Sequence, residues 1–241
     1  MTGQQRVARL FAAGVIALAG GLGQGGQWPD SEVSLGLGGF EPRGSGGLWE
    51  VNELVFTQAP QDFGDLTGSF RIGGSLNEYV ILDVGSSYYD ATETSRERFY
   101  TTTGGGAIAH DARLRLMPIT TDIRFLPFGR YRETGDKSRG LRIVSPYIGF
   151  GAGAVLWSYR EAGDFVDPAS LTIYYDELEA RGVAFEYHGM AGVDVNVNPN
   201  LGFYVEGRIS RADDDLSSDF SGFDEFDLSG VSLTAGMRFR F

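Results

Sequence analysis

The sequence of 241 residues contains no cysteine, and Lys137 is the only lysine among its 20 basic residues. The lack of cysteine excludes a disulfide framework, a thiol nucleophile and any metal site built on thiolates. Because arginine forms fixed bidentate pairs with carboxylates, its excess suits ion pairs in confined places, although codon bias would give the same composition. The formal net charge of −12 argues against a nucleic-acid partner.

Long hydrophobic runs are also missing, except at the N-terminus. Arg6 and Arg9 precede the apolar run LFAAGVIALAG, which ends in the small-x-small pattern that signal peptidase needs, Ala17-Leu18-Ala19. This run is shorter than the roughly 20 residues that a membrane-spanning helix requires. We therefore predict a secretory signal peptide over 1–19, an N-terminal leader over 20–30 and a β-barrel over 31–241. The alternative is an amphipathic or buried N-terminal helix.

The sequence does contain apolar and polar residues that alternate with a period of two, as in β-strands. The C-terminal stretch VSLTAGMRFRF, for example, places its valine, leucine, methionine and phenylalanines on one face. The same alternation predicts eight strands, near 31–40, 67–76, 79–89, 111–125, 146–159, 183–197, 203–210 and 231–241. In the fourth strand the apolar face changes phase at Met117-Pro118, and a bulge at the proline would explain that change. No long segment shows helical periodicity, so the sequence predicts an all-β meander.

The predicted connections differ in length. Those after strands one, three, five and seven are long and either acidic or rich in glycine, namely 43–66, 91–110, 161–180 and 211–228. Those after strands two and six are short, whereas the basic link over 127–142 breaks the pattern. Long loops at one end and mostly short turns at the other are typical of an eight-stranded antiparallel up-and-down transmembrane β-barrel.

The polar face of these strands decides between a membrane barrel and a soluble barrel or sandwich. Eight strands enclose room only for side chains, and buried charges must be paired. Glycines and charges of both signs share this face, so we predict a lumen charge network of Asp83, Arg113, Arg115, Asp122, Arg124, Glu186, His188, Asp194, Glu206, Arg208, Arg238 and Arg240. The apolar faces would then contact lipid. Aromatic girdles are predicted from Phe40, Tyr88, Tyr89, Trp157 and Tyr159 at the loop end and from Tyr79, Phe125, Phe203, Phe239 and Phe241 at the turn end.

The segments SPYIGFGAGA and NVNPNLGFYVEGR and the terminal Phe241 resemble small outer-membrane β-barrel proteins of Gram-negative bacteria, of the OmpA-transmembrane-domain and OmpW-like type. The resemblance implies a monomer in the bacterial outer membrane that contacts lipid and lipopolysaccharide. It also implies periplasmic chaperones and a barrel-assembly machinery as partners during biogenesis. That machinery would read a C-terminal signal consisting of Val231, Leu233, Met237, Phe239 and Phe241. Unlike full-length OmpA proteins, this chain is expected to carry no peptidoglycan-binding domain after the barrel.

Three motifs bear on possible chemistry. His188 and Glu186 fit part of the Ser/His/Glu set of lipid A deacylases, which resemble this scaffold, but Met190 stands where their His-x-Ser spacing needs serine. The acidic stretch RADDDLSSDFSGFDEFD could bind calcium, although it lacks the EF-hand spacing. No helix follows GFGAG to bind phosphate. We therefore predict no catalytic, cofactor or metal site.

These observations favour an envelope protein with a structural or surface-interaction role, mobile acidic extracellular loops and a mostly plugged polar lumen. The first alternative is an OmpW-like narrow channel or a binder for small or apolar solutes. A lipid A-modifying barrel enzyme is the less favoured alternative.

Overall fold

The computed structural model describes residues 31–134, 138–216, 218–220, 222–223 and 225–241. The predicted signal peptide over 1–19 and the leader over 20–30 lie outside the described residues, as does Lys137. Within the described part of the chain, no helix is both long enough and apolar enough to cross a membrane.

Antiparallel strands make up most of the fold. In chain order the strands are β1 (Ser31–Pro42), β2 (Asp65–Ser75), β3 (Val80–Thr101), β4 (Ala107–Phe125), β5 (Tyr131–Thr134), β6 (Ser138–Leu141), β7 (Val144–Val166), β8 (Ile173–Asn198), β9 (Leu201–Asp215), β10 (Glu225–Asp227) and β11 (Gly230–Arg240). Helix α1 (Gly47–Val55) lies between β1 and β2, and short 3-10 turns occupy Pro60–Phe63 and Ser218–Phe220.

Eight of these strands close into a ring. Sequential neighbours pair in the order β1, β2, β3, β4, β7, β8, β9 and β11, and β11 returns to pair with β1. The backbones of Ser31 and Phe241 exchange two hydrogen bonds of 3.0 Å at this seam. The predicted eight-stranded up-and-down barrel is therefore confirmed.

The strands of the ring are longer than the sequence predicts. Strands β3 and β8 extend over 22 and 26 residues. Most residues of the predicted loops 91–110 and 161–180 therefore belong to paired β-strands. The basic link over 127–142 contains a two-stranded hairpin, β5 and β6. The prediction also missed α1, a nine-residue helix within the first long connection.

The outer surface changes character along the strands. At the end of the barrel with the short turns, outward side chains form an apolar belt, for example from Val80 to Tyr88 on β3, from Met117 to Phe125 on β4 and from Leu201 to Ile209 on β9. Each stretch is nine residues long. Above the belt, toward the long connections, outward positions carry charges such as Arg115 and Arg160.

The interior shows the opposite order. Charged side chains fill the barrel at the level of the belt, whereas apolar side chains fill it above the belt. The predicted bulge at Pro118 is wrong, because the register of β4 against β7 is continuous from His110 to Phe125. The apolar residues of β4 change from the inner to the outer face at Met117, because below this point the interior is charged and the outer surface is the apolar belt. Leu114 and Leu116 consequently point inward.

Candidate functional site

The interior at the level of the belt forms an ion-pair layer. We use this name for six carboxylates, six guanidiniums and one imidazole: Glu32, Asp83, Asp122, Glu186, Asp194, Glu206, Arg71, Arg124, Arg130, Arg208, Arg238, Arg240 and His188. The carboxylates and guanidiniums are equal in number, so they neutralise each other. Such pairing is what allows buried charges to persist in a confined space.

Glu32 is the hub of this layer. Its side chain is fully buried and contacts four guanidiniums, those of Arg124, Arg130, Arg238 and Arg240. The Arg130 and Arg240 contacts measure 2.7 and 3.4 Å. Arg130 reaches the layer from the connection after β4 and also donates to Ser75 Oγ at 2.9 Å. One carboxylate therefore links β1 to β4, to β11 and to that connection.

Two bidentate arginine–carboxylate pairs add to this hub. Arg71 binds Glu206 with two hydrogen bonds of 2.9 and 2.5 Å, and Tyr147 donates a third hydrogen bond to Glu206 at 2.8 Å. Arg124 donates two hydrogen bonds to Asp83, of 2.5 and 2.9 Å. Bidentate arginine–carboxylate pairs of this kind are geometrically rigid as well as strong. The Arg71–Glu206 pair joins β2 to β9 across the lumen, whereas the Arg124–Asp83 pair joins the neighbouring strands β4 and β3.

Arg238 and His188 complete the layer. Arg238 donates to Asp194 and Ser34, and its guanidinium lies 4.7 Å from the centre of the Tyr204 ring, within cation–π distance. His188 Nε2 lies 3.1 Å from Asp122 Oδ1, and its Nδ1 lies 3.2 Å from Glu186 Oε1. The histidine is thus held between two carboxylates inside the barrel.

Inward glycines provide the space for these groups. A Cβ atom added at Gly73 would overlap a carboxylate oxygen of Asp83, and one at Gly151 would overlap both Asp122 and His188. The glycines on the polar face therefore serve close approach of charged side chains. The motif GFGAG, which contains Gly151, lies in strand β7.

The structure corrects two members of the predicted lumen network. Arg113 and Arg115 lie on the outer surface above the belt, where both bind Asp90, at 2.5 and 3.2 Å respectively. Because the register of β4 is continuous, Arg113 and Arg115 share the outer face with Met117. The inner face of β4 at this height carries the apolar residues of the interior instead. The other ten predicted network residues lie inside the barrel. Sequence reasoning omitted Glu32, Arg71 and Arg130, although the first two alternate correctly with outward Val33 and Ile72.

Above the ion-pair layer, an apolar plug closes the barrel. It consists of Leu48, Trp49, Phe63, Tyr89, Ala91, Ala112, Leu114, Leu116, Val155, Trp157, Tyr159, Ala180, Ala184, Ala212, Leu216, Phe220, Phe226 and Leu228, with Phe40 and Leu178 packed against it. The sequence predicted an outward girdle containing Phe40, Tyr89, Trp157 and Tyr159, and for these four residues the prediction is wrong, because they pack into the plug. Tyr88 does lie outward.

Helix α1 contributes the centre of the plug. Trp49 is 1% exposed, and its ring contacts those of Phe63, Tyr159 and Phe226 at centroid distances of 5.2 to 6.0 Å. Its indole nitrogen donates a hydrogen bond of 2.9 Å to the backbone carbonyl of Asp227. The helix thus ties the first long connection to the last one.

A buried polar cluster lies beneath α1. Tyr159 donates to Glu161 at 2.5 Å, and Asn52 donates to both groups, at 3.0 and 2.9 Å. Gln58 donates to the Tyr159 hydroxyl at 2.6 Å. Burial raises the pKa of the Glu161 carboxyl, and burial together with the neighbouring Glu161 raises the pKa of Tyr159 well above its usual range. These hydrogen bonds compensate for burying a carboxylate without a cation beside it.

His110 is the second histidine in the interior, and it lies above the belt. Its ring stacks on Phe165 at 4.8 Å and meets the edge of Phe56 at 4.6 Å. Burial disfavours the imidazolium and lowers the pKa of His110 to about 4. His110 is therefore neutral at physiological pH.

This burial predicts a loss of stability in acid. Above about pH 6.5 the histidine is neutral in both states; as pH falls from there to about 4, the unfolded state binds the proton first. The folded protein should lose up to about 3 kcal/mol over that window. Denaturant unfolding in detergent at pH 7 and pH 4.5 measures the loss, and a His110→Leu variant should show a smaller one. An equal loss in both proteins would contradict this assignment.

A cavity separates the ion-pair layer from the apolar plug. It has a volume of about 60 Å³, and Arg71, Glu206 and Arg208 line its floor while Phe40 and Leu116 line its roof. Hydroxyl groups line its wall, from Thr67, Ser69, Ser87, Thr120, Ser210, Ser232 and Thr234. Polar walls and a volume of this size suit a few water molecules.

The predicted assembly signal lies on the outer face of β11. Val231, Leu233, Met237, Phe239 and Phe241 are all outward and exposed within the belt. Its recognition by an assembly machinery stays a prediction.

The acidic connection before β11 is engaged in structural contacts. Asp214 accepts a hydrogen bond from the Trp157 indole at 2.7 Å, and Asp219 accepts one from the backbone of Glu179 at 3.0 Å. Asp227 accepts hydrogen bonds from the backbone and hydroxyl of Ser45. Among the described residues, no group of three or more metal-ligating side chains is arranged to hold a metal ion. The carboxylates in these contacts fasten the connection to the top of the barrel.

Comparison with known proteins identifies the fold. No protein-family model matches the sequence, and no curated protein matches it. Among solved structures, a major outer membrane protein from Thermus thermophilus superposes with a TM-score of 0.50 at 12% identity, covering 89% of this chain and 100% of that one.

Two further structures align over most of their length with lower scores. Neisserial surface protein A covers 90% of this chain and 100% of its own, with 13% identity and a TM-score of 0.45. The attachment invasion locus protein Ail of Yersinia pestis covers 88% and 99%, with 15% identity and a TM-score of 0.42. The closed ring of eight strands, together with the superposition on the Thermus thermophilus protein, gives this chain the fold of an eight-stranded outer-membrane β-barrel.

Proposed function

We propose that the chain is a closed, non-conducting barrel of the bacterial outer membrane that acts through its outer and extracellular surfaces. The location is supported by the fold and by the apolar belt, because strand stretches of nine residues, with every second side chain outward, match the roughly 9–11 residues that a tilted strand needs to cross hydrocarbon. A ring of paired strands leaves no unpaired backbone edge in lipid. The short turns would then face the periplasm and the long connections the outside.

The observation that carries the proposal is closure of the lumen at two levels. The ion-pair layer fills the barrel within the belt, and the apolar plug fills it above the belt. A solute would have to break buried arginine–carboxylate pairs and also displace an aromatic core. A structural or surface-interaction role in the envelope requires neither step.

Conductance across a planar lipid bilayer tests this proposal. Folded protein, identified by altered gel mobility before boiling, should insert and remain electrically silent. Reproducible single-channel steps from the folded fraction would contradict it and favour a narrow channel, for which the cavity of about 60 Å³ would serve as an intermediate chamber.

We propose no catalytic role for His188. It lies inside the barrel between Asp122 and Glu186, whereas a deacylase site would have to meet its lipid on the outer side. The proposed partners are accordingly membrane lipid and lipopolysaccharide, together with chaperones and the assembly machinery during export, and the proposed state is a monomer after cleavage of the signal peptide.

A further inference from the structure

A cluster of arginines lies on the outer wall immediately above the belt. We call Arg113, Arg115, Arg160 and Arg181 the arginine patch, with Ser158 at its centre. All five side chains point outward on the adjacent strands β4, β7 and β8. Ser158 is the direct cross-strand partner of Arg115 on one side and of Arg181 on the other.

The patch contains two like charges in direct opposition. Arg113 and Arg160 face each other across the β4–β7 ladder. Like charges directly opposite each other destabilise a sheet unless an opposite charge neutralises them. Three carboxylates lie nearby. Asp90 binds Arg113 and Arg115 from the β3 side, Glu177 binds Arg160 at 2.8 Å from the β8 side, and Glu179 is the direct cross-strand partner of Arg160.

The surface around Ser158 is not filled by side chains. A shallow cavity of about 140 Å³ is lined by Arg113, Arg115, Ser158, Arg160, Glu177 and Glu179, and the strand register places Arg181 next to Ser158 on the β8 side of this cavity. The side chains of Arg113, Arg115 and Arg160 remain 39 to 45% exposed despite their carboxylate partners. Guanidinium N–H groups and a serine hydroxyl together are the donors that bind phosphate oxygens.

The depth of the patch indicates where such a phosphate comes from. Going down each strand, the next outward residue after Arg115 is Met117, after Ser158 is Leu156 and after Arg181 is Val183, all of which belong to the belt. Two strand residues span about 7 Å. The patch therefore lies at headgroup depth on the side of the long connections.

We propose that the arginine patch binds a phosphate monoester carried by a lipid of the outer leaflet, with the anion over Ser158 between Arg115 and Arg181. This inference rests on the proposed membrane location. One bound lipid on the β4–β7–β8 side would anchor the barrel rotationally and vertically in its leaflet.

Native mass spectrometry of the protein in nanodiscs tests the proposal, with lipid A, enzymatically dephosphorylated lipid A and inorganic phosphate as probes. Lipid A should bind about tenfold more tightly than its dephosphorylated form, and inorganic phosphate should not displace it at equal concentration. The double variant Arg115→Gln with Arg181→Gln should lose about tenfold in lipid A affinity. Equal binding of both lipids, or unchanged binding by the double variant, would overturn the proposal, as would displacement by inorganic phosphate.

Controls separate this inference from folding and from the membrane proposal. Arg211→Gln removes an outward arginine on β9 that pairs with Tyr187, six residues along β8 from Arg181, and it should bind lipid A like the wild type. The conservative double variant Arg115→Lys with Arg181→Lys should retain most of the affinity. Loss of binding with EDTA would show cation bridging by Glu177 and Glu179 and would also overturn the proposal. Failure of the wild-type barrel to enter nanodiscs would instead contradict the proposed location.

Discussion

Replacing Glu32 with glutamine should cost the folded barrel about 3–5 kcal/mol, because it leaves four buried guanidiniums around a neutral side chain. The substitution preserves volume and shape, so the loss reports on charge. Urea unfolding in detergent micelles, followed by tryptophan fluorescence, measures it. Removing one partner of a buried ion pair is costly even where the intact pair contributes little net stability.

Glu41→Gln is the matched control on the same strand. Glu41 pairs with Arg43 at 2.9 Å, but both side chains are largely exposed, at 44 and 61%. Exposed pairs of this kind contribute roughly 0–1 kcal/mol. Similar losses in the two variants would show that Glu32 does not organise the layer.

Trp49→Ala should destabilise the plug by about 3–5 kcal/mol, the usual cost of deleting a buried aromatic side chain. It removes contacts with Phe63, Tyr159 and Phe226 and the hydrogen bond to Asp227. Because Trp49 provides the aromatic contacts between α1 and the plug, the segment over 43–64 should become sensitive to protease before the strands unfold. Limited proteolysis and thermal unfolding in detergent measure the two effects.

Leu54→Ala on the same helix serves as the comparison. Leu54 is 66% exposed, so its truncation should change the stability by about 0.5 kcal/mol or less. Resistance of the Trp49 variant to protease at wild-type level would disprove the role of α1 as the fastener of the plug.

The ring of strands could be predicted from the sequence because alternation persists through each strand within the belt. Val231 to Phe241 and Val183 to Val197 have the orientation that their pattern indicates. Glu32 was accessible to the same reasoning, since it alternates with Val33. Arg130 was not, because it arrives from a connection whose path no periodicity fixes.

The inversion above the belt could not be derived from period two. Alternation shows that Leu114 and Arg113 lie on opposite faces, but it does not show which face meets water when the surroundings change along one strand. The charged outward positions, read together with apolar inward ones, were the available signal. Helix α1 escaped prediction because its nine residues GLWEVNELV bury only Leu48, Trp49 and Asn52, too few for a clear helical period.

The seam between β1 and β11 joins the first and last strands of the ring, so the ring cannot close before β11 is available. Contacts such as that between Ser34 and Arg238 span 204 residues, and pairings of such long range form slowly. Until β11 pairs with it, β1 has no partner on one side, and such an unpaired edge favours aggregation. The topology therefore exposes the chain to aggregation for a period before the ring closes, whatever the stability of the closed barrel.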